Sequence, residues 1–168
     1  MAAGLVEKVA RLSTPQMIGA ASIRKRAANV RDLAAAYIDS DAYVYREYLA
    51  ALRAARGRNA TERERILRPA WGGIVNLPLK VARVATEVAD MGAELALHGK
   101  PNVRSDAVAA VQLAAAAAQA SAATLAANLV SRPDDAKLAE VRELAGRASS
   151  AAERLRREIR RSRRPRSG

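Results

Sequence analysis

Apolar residues recur along this chain at alternating steps of three and four. Leu77, Val81, Val84, Val88, Met91 and Leu95 form one such line, the spacing that keeps one stripe of an α-helix facing a partner helix. Leu138, Val141, Ala145, Ala148, Ala152, Leu155 and Ile159 form a second. Residues 21–56 contain neither Gly nor Pro and carry Val30, Leu33, Tyr37, Val44, Tyr48 and Leu52 on one line, which predicts a helix ~50 Å long at ~1.5 Å per residue. No segment alternates apolar and polar with the period of two that marks a half-buried strand.

The interruptions fall between these lines. Ser-Thr-Pro at 13–15 ends a short opening helix over 1–12, and Gly57 stops the second. Trp71-Gly72-Gly73 is read as a break between a polar helical piece at 61–70 and the line that starts at Leu77. Gly99 and Pro101 close that line, with Ser105 or Asn102 available to cap the next helix. Pro133 with Asp134 and Asp135 opens the last. The predicted fold is all-α: a single long-helix bundle of about five helices.

From Ala107 to Ser131 there are 25 residues without a charge, thirteen of them Ala. An Ala methyl gains little on transfer to lipid, and Gln112, Gln119, Ser121, Thr124 and Asn128 cost more than it returns. The expectation is a central helix buried on most sides of the bundle, with no membrane partner. Its amides would bond across helices or line a polar cleft that holds a ligand ring. In a lone bundle most helices show one face to water, so an uncharged helix of about six turns also predicts a homodimer.

Composition narrows the chemistry. Half of the 168 residues are apolar and 41 are Ala, the strongest helix former. Cys is absent, which excludes thiolate catalysis and Cys-ligated metal sites. His98 is the one His, so no multi-His metal site fits within a single chain. It reads as a satisfied core or helix-end His rather than a catalytic one. Met1 opens directly onto a helical pattern with Glu7 and Lys8 rather than a signal peptide, so the expected location is cytoplasmic.

The net charge of +12 is uneven. Residues 154–168 hold eight Arg against Glu158, which leaves the body about +5. The chain therefore divides into a helical domain over 1–153 and an Arg-rich tail over 154–168 expected to be solvated and partly disordered. Contact of that tail with nucleic acid is the less favoured reading, because no aromatic residue is interleaved for base stacking.

Two clusters could carry chemistry. All four Tyr lie between 37 and 48, and positions 37, 41, 44, 45 and 48 share a helix face. Asp41 thus falls within a Tyr/Val stripe. Burial disfavours the charged form of a carboxylate, which suits a general acid or base; the alternative is a hydrogen bond to a Tyr or an ion pair. Asp39 lies roughly opposite, towards solvent. The second cluster is the loop Gly99–Asp106, where Asn102, Ser105 and Asp106 stand at a helix N-terminus with its N–H donors and favourable dipole. Plain capping accounts for one or two of those residues.

These segments resemble a known family. Asp39-Ser-Asp41-Ala-Tyr-Val-Tyr45 followed by Tyr48-Leu-Ala-Ala-Leu-Arg53 is similar to the "Asp-x-x-Ala-Phe…Ala-x-x-x-Pro-Lys" segment of the formimidoyltetrahydrofolate cyclodeaminase and methenyltetrahydrofolate cyclohydrolase family. Leu77-Pro78-Leu79 resembles its "Val-Pro-Leu" helix start, Gly99–Asp106 its "Gly-Asn-x-Asn-x-x-Ser-Asp" loop, and Ala-Asn128-Leu129 the end of its "Asn-Val-x-x-Asn-Leu" helix. Order and spacing hold from about residue 4 to 132. Lys100 replaces the loop's first Asn, Thr124 the first Asn of the helix end, Ala54-Ala55 a Leu-Pro, and Arg56 a Lys. The family's amino-terminal "Pro-Gly-Gly-Gly-Ser" turn has no counterpart in these residues.

The resemblance implies an all-helical homodimer acting on one-carbon folates without metal or cofactor. The reaction is either ammonia loss from formiminotetrahydrofolate to close methenyltetrahydrofolate, or hydrolysis of methenyltetrahydrofolate to 10-formyltetrahydrofolate. Asp41 is then the expected acid/base, with Asn102 and Asp106 as further catalytic candidates. Tyr45, Ser105, Thr124 and Asn128 are expected to contact substrate, and Arg53, Arg56 and Lys100 to meet the folate's glutamate tail. A non-catalytic helical dimerisation or regulatory relative is the alternative.

Overall fold

Ala-rich segments with few β-branched residues favour helix throughout, and the described residues, 1–162 of this computed structural model, form helices joined by short turns. In chain order these are α1 (Ala2–Ser13), α2 (Ala20–Ala54), α3 (Ala60–His98), a one-turn 3₁₀ segment (Pro101–Val103), α4 (Arg104–Asn128) and α5 (Ala136–Ser162). Helix α3 is the spine. It packs against α2, α4 and α5, while α1 lies against α2 and α4. The main core joins Val6 and Val9 of α1, Ile23 and Val30 of α2, Met91 and Leu95 of α3, Val111 of α4 and Leu155 of α5. A smaller core gathers Val75, Leu79, Leu125, Leu129, Leu138 and Val141 at the other end.

The two predicted seams are the ones that pack. Leu77, Val88, Met91 and Leu95 are buried on α3, and six of the seven positions from Leu138 to Ile159 are buried on α5. Thr86, also buried, sets its hydroxyl between the carbonyls of Ala82 and Leu144, at 2.9 and 3.0 Å, and so ties α3 to α5. Gln119 donates to Ser149 at 2.8 Å, and Arg156 donates to Gln112 at 2.6 Å. These two amides therefore bond from α4 to α5, across a small depression of about 270 Å³ that both line.

Several expectations are corrected. The break at Trp71-Gly72-Gly73 is absent, and α3 runs unbroken for 39 residues through Pro69 and Pro78. Gly73 has a packing reason: a Cβ there would lie 2.9 Å from Val44 Cγ1 of α2. Asn59, not a residue inside the stretch, caps this helix by accepting from the Glu62 N–H at 3.0 Å. Neither Asn102 nor Ser105 caps α4; Val103 stands at that position without a side-chain bond, and the 3₁₀ turn leads into the helix instead. Of the Pro133-Asp134-Asp135 opening, Asp135 is the residue next to α5, and it accepts from the Lys137 N–H at 3.0 Å. On α2 only Ala20, Ile23, Ala27 and Val30 are buried, and Leu33 is exposed.

Helix α4 is buried along one stripe, not on most sides. Ala107, Ala110, Val111, Ala114, Ala118, Ser121 and Leu125 face α1, α3 and α5, while Ala109, Leu113, Ala116, Ala117, Ala120 and Ala123 are exposed. A helix apolar all round carries no sequence mark of which face turns outward. Together with the 3₁₀ turn it is the one segment among the described residues long and apolar enough to cross a membrane. A core helix passes the same test, and its buried stripe is packed against protein. The stretch expected to be a disordered tail continues α5 to Ser162 with Leu155 buried; the rest of it, residues 163–168, lies outside the described residues.

Close approach of α3 and α4 depends on Gly92, where a Cβ would lie 2.8 Å from Val111 Cγ2. Gly92→Val is expected to destabilise the fold by about 1–3 kcal/mol through overpacking, read as a lower urea midpoint at unchanged slope. Adding Val111→Ala should recover part of the loss. Equal losses with and without Val111→Ala would show that the contact is not the cause.

Candidate functional site

Proline 78 sets up the site. It has no N–H, so the Ile74 carbonyl one turn earlier loses its helical donor. Asn128, at the end of α4, supplies one: its Nδ2 donates to Ile74 O at 2.8 Å. This bond fastens the last turn of α4 to α3 where Pro78 leaves a carbonyl without its helical donor. Leu129, fully buried in the next position, packs into the smaller core and holds the same junction.

The junction leaves an open cleft floored by α3 and walled by α2 and α4. One part, about 400 Å³, is lined by Tyr37, Ile38 and Asp41 of α2, Leu77, Pro78, Val81 and Val84 of α3, and Ala120, Ser121 and Thr124 of α4. A neighbouring part, about 230 Å³, shares Asp41, Leu77, Pro78 and Thr124 and adds Val44, Tyr45, Tyr48, Ile74 and Asn128. Four of the sequence-derived site residues, Asp41, Tyr45, Thr124 and Asn128, therefore meet across one space from positions 83 to 87 residues apart (Asp41 to Thr124 and Asn128). Leu77 and Pro78, noted only as a helix start, form its floor. Ser121, Tyr37 and Tyr48 belong to the lining as well; Ser121 is one turn from Thr124, the spacing that could have pointed to it.

The chemistry of the cleft is sparse and directional. Asp41 is exposed rather than half-buried, with Tyr37, Val44 and Tyr48 half-buried beside it and Tyr45 58% exposed. The expected shielding by the Tyr stripe is thus not present within one chain, because only α3 covers that face of α2. Among the described residues Asp41 has no hydrogen-bond partner, so both oxygens are available to a ligand. Thr124 donates to Ala120 O at 3.0 Å and Ser121 to Ala117 O at 2.9 Å, which leaves each hydroxyl oxygen as an acceptor. Tyr48 meets Trp71 edge-on, ring centroids 6.1 Å apart, which steadies the outer wall.

The other candidates lie elsewhere. Thr124 is twenty residues along α4 from Arg104, a separation of ~30 Å at ~1.5 Å per residue, so Lys100, Asn102, Ser105 and Asp106 do not share the cleft of their own chain. Asp106 pairs with Lys8 at 2.8 Å. The Lys100 N–H donates to Ser13 Oγ at 2.9 Å, while Asn102 and Ser105 are exposed. Arg53 and Arg56 are exposed at the far end of α2, twelve and fifteen residues beyond Asp41, and line neither part of the cleft. His98 is an exposed helix-end residue. Among the described residues no three His, Asp or Glu side chains converge as a metal site requires.

The sequence pattern of the formiminotransferase-cyclodeaminase family matches residues 1–147. The chain belongs to that family. No curated protein matches the chain significantly. Among solved structures, the formiminotetrahydrofolate cyclodeaminase of Thermotoga maritima superposes with a TM-score of 0.80 at 21% identity, over 94% of this chain and 80% of that one. The likeness carries the fold, and the family match covers every cleft residue.

The Pro78–Ile74–Asn128 arrangement is testable as a coupled pair. Asn128→Ala is expected to cost about 1–3 kcal/mol, the range for leaving a buried carbonyl unpaired. In a Pro78→Ala background, where residue 78 regains its N–H, the same substitution should cost markedly less. A double-mutant cycle by urea denaturation measures the difference; additive losses would show that Asn128 does not stand in for the missing donor.

Proposed function

We propose that the cleft between α2, α3 and α4 binds a one-carbon tetrahydrofolate and acts at its amidine or amidinium carbon. The observation that carries this reading is the convergence of Asp41, Thr124 and Asn128 on one open space floored by Leu77 and Pro78, in a chain of this family. The apolar floor and Tyr37 suit a flat ring. Ring closure with ammonia loss needs the attacking nitrogen to shed a proton and the departing amine to gain one; hydrolysis needs the same service for water. Asp41, with both oxygens unengaged, is the group able to carry that proton. The acceptor oxygens of Thr124 and Asn128 would orient the substrate's N–H groups.

A second copy completes this reading. The cleft is open, and the uncharged face of α4 beside it is bare from Ala109 to Ala127. A two-fold axis near Leu113–Ala117 would run α4 antiparallel to its mate. The midpoint between residues 105 and 124 falls there, so the mate's Lys100–Asp106 loop would come over this chain's Thr124. The dimer would then bury the Ala face, shield Asp41, and reunite the loop residues Asn102 and Asp106 with the cleft. Lys100, rather than the remote Arg53 and Arg56, would meet the substrate's glutamate carboxylates. Helix α4 is read as covered by protein rather than lipid, because Ala methyls gain little in a bilayer.

Absorbance decay of methenyltetrahydrofolate and ammonia release from formiminotetrahydrofolate test the activity, with Asp41→Asn expected to lower either rate about 10²–10⁴-fold. Mixing Asp41→Asn with Asn102→Ala/Asp106→Ala, each inactive alone, should restore about a quarter of wild-type activity, since half the dimers are mixed and each has one intact site. Light scattering should give twice the 17.9 kDa chain mass. No rate above buffer for either substrate would overturn the function. No restoration on mixing, or a monomer mass, would overturn the shared site.

A further inference from the structure

The opposite end of the bundle carries a separate cavity, of about 560 Å³, of whose lining the folate reading uses no residue but Arg104, through the Lys100–Asp106 loop. It lies where α3 ends, α4 begins and α5 runs out. Arg154, Arg157 and Arg161 stand at steps of three and four on one face of α5, and Arg104 reaches in from the first turn of α4. His98 closes the rim, and among the described residues the only carboxylate in the lining is Glu158. Four guanidiniums therefore face one space with one negative charge among them.

Their pairing differs from that of the three mid-bundle arginines Arg26, Arg83 and Arg147. Arg26, Arg83 and Arg147 each reach a carboxylate on a neighbouring helix, Glu87, Glu140 and Asp90 in turn. In the cavity, Glu158 lies 3.9 Å from Arg161, and Glu153 3.8 Å from Arg157, both along α5 itself. Among the described residues Arg104 and Arg154 have no acidic partner. Arg104 Nε is moreover buried with no acceptor at all, and a charged donor left so is costly unless an anion meets it.

From this geometry we infer a binding site for a compact polyphosphate, either free or carried on a nucleotide. A phosphoryl group offers three acceptor oxygens on one centre, so several guanidiniums can converge on it; a carboxylate offers two. The volume falls within the ~300–1,000 Å³ of small-ligand sites and exceeds the need of a single small anion. Ala96, Leu97 and Ile159 supply an apolar wall beside them, while the α5 guanidiniums stand exposed at the mouth, where an anion can reach them without rearrangement.

Titration calorimetry on the full chain with tripolyphosphate, ADP and triglutamate tests this at low and at physiological ionic strength. One tripolyphosphate per chain is expected, weakened at least about tenfold by Arg104→Gln/Arg154→Gln. Arg58→Gln, at the distant α2–α3 turn, should leave it unchanged, as should Gln at positions 163, 164 and 166. Circular dichroism checks that the double variant is folded; if it is not, Arg157→Gln replaces it with the same expected loss. Tighter binding of ADP than of tripolyphosphate assigns a nucleotide source, and the reverse a free one. Absence of binding at low salt, indifference to the cavity substitutions, loss on neutralising 163, 164 and 166, or equal binding of triglutamate would each overturn the site.

Discussion

One hydrogen bond, from Asn128 Nδ2 to the Ile74 carbonyl, lets a long uninterrupted spine carry a cleft. Pro78 removes a donor from the middle of α3, where a proline ordinarily costs a helix ~3 kcal/mol. The loss is offset because the freed carbonyl turns into an anchor for α4. That anchor fixes the last turn of α4 beside Leu77 and Pro78 and across from Asp41. A regular helix in place of α3 would leave Asn128 without its partner and α4 without its register. The irregularity and the candidate site share one origin.

The two ends of the bundle solve different electrostatic problems. At the Asp41 end an exposed carboxylate looks into an apolar-floored cleft next to bare Ala surface, an arrangement that a second subunit would enclose. At the other end Arg104, Arg154, Arg157 and Arg161 gather with little compensation, whereas Arg26, Arg83 and Arg147 pair across helices. Mid-bundle pairs of that kind are exposed, so each contributes at most ~1 kcal/mol. Stability rests on the α3 and α5 seams and on close approaches at Gly73 and Gly92 that allow helices with small side chains to interlock.

The helical class, the two seams and the family were legible because each is a periodic or ordered pattern along the chain. Asp41, Thr124 and Asn128 were legible as members of such a pattern, and they do face one another. What was illegible depends on neighbours. Gly72-Gly73 reads as a stop, yet Gly73 is there because Val44 leaves no room for a Cβ. The outward face of α4 has no polar mark. Asn128 reads as a substrate ligand, whereas one of its two N–H donors is committed to a carbonyl whose vacancy is visible only once Pro78 is known to lie inside a helix. Arg53 and Arg56 read as anion contacts from their charge, and only the length of α2 removes them from the cleft.

The central claim is that the Asp41–Thr124 cleft binds a folate. Urea denaturation across a concentration series of 5-formyltetrahydrofolate tests it most directly, since a ligand of the native state alone stabilises by about 2.7 kcal/mol at 100-fold its Kd. The account predicts a midpoint that climbs with the logarithm of folate concentration in the native sequence and stays flat in Thr124→Trp, whose side chain fills the cleft. A flat midpoint in both, or an equal climb in both, would contradict it.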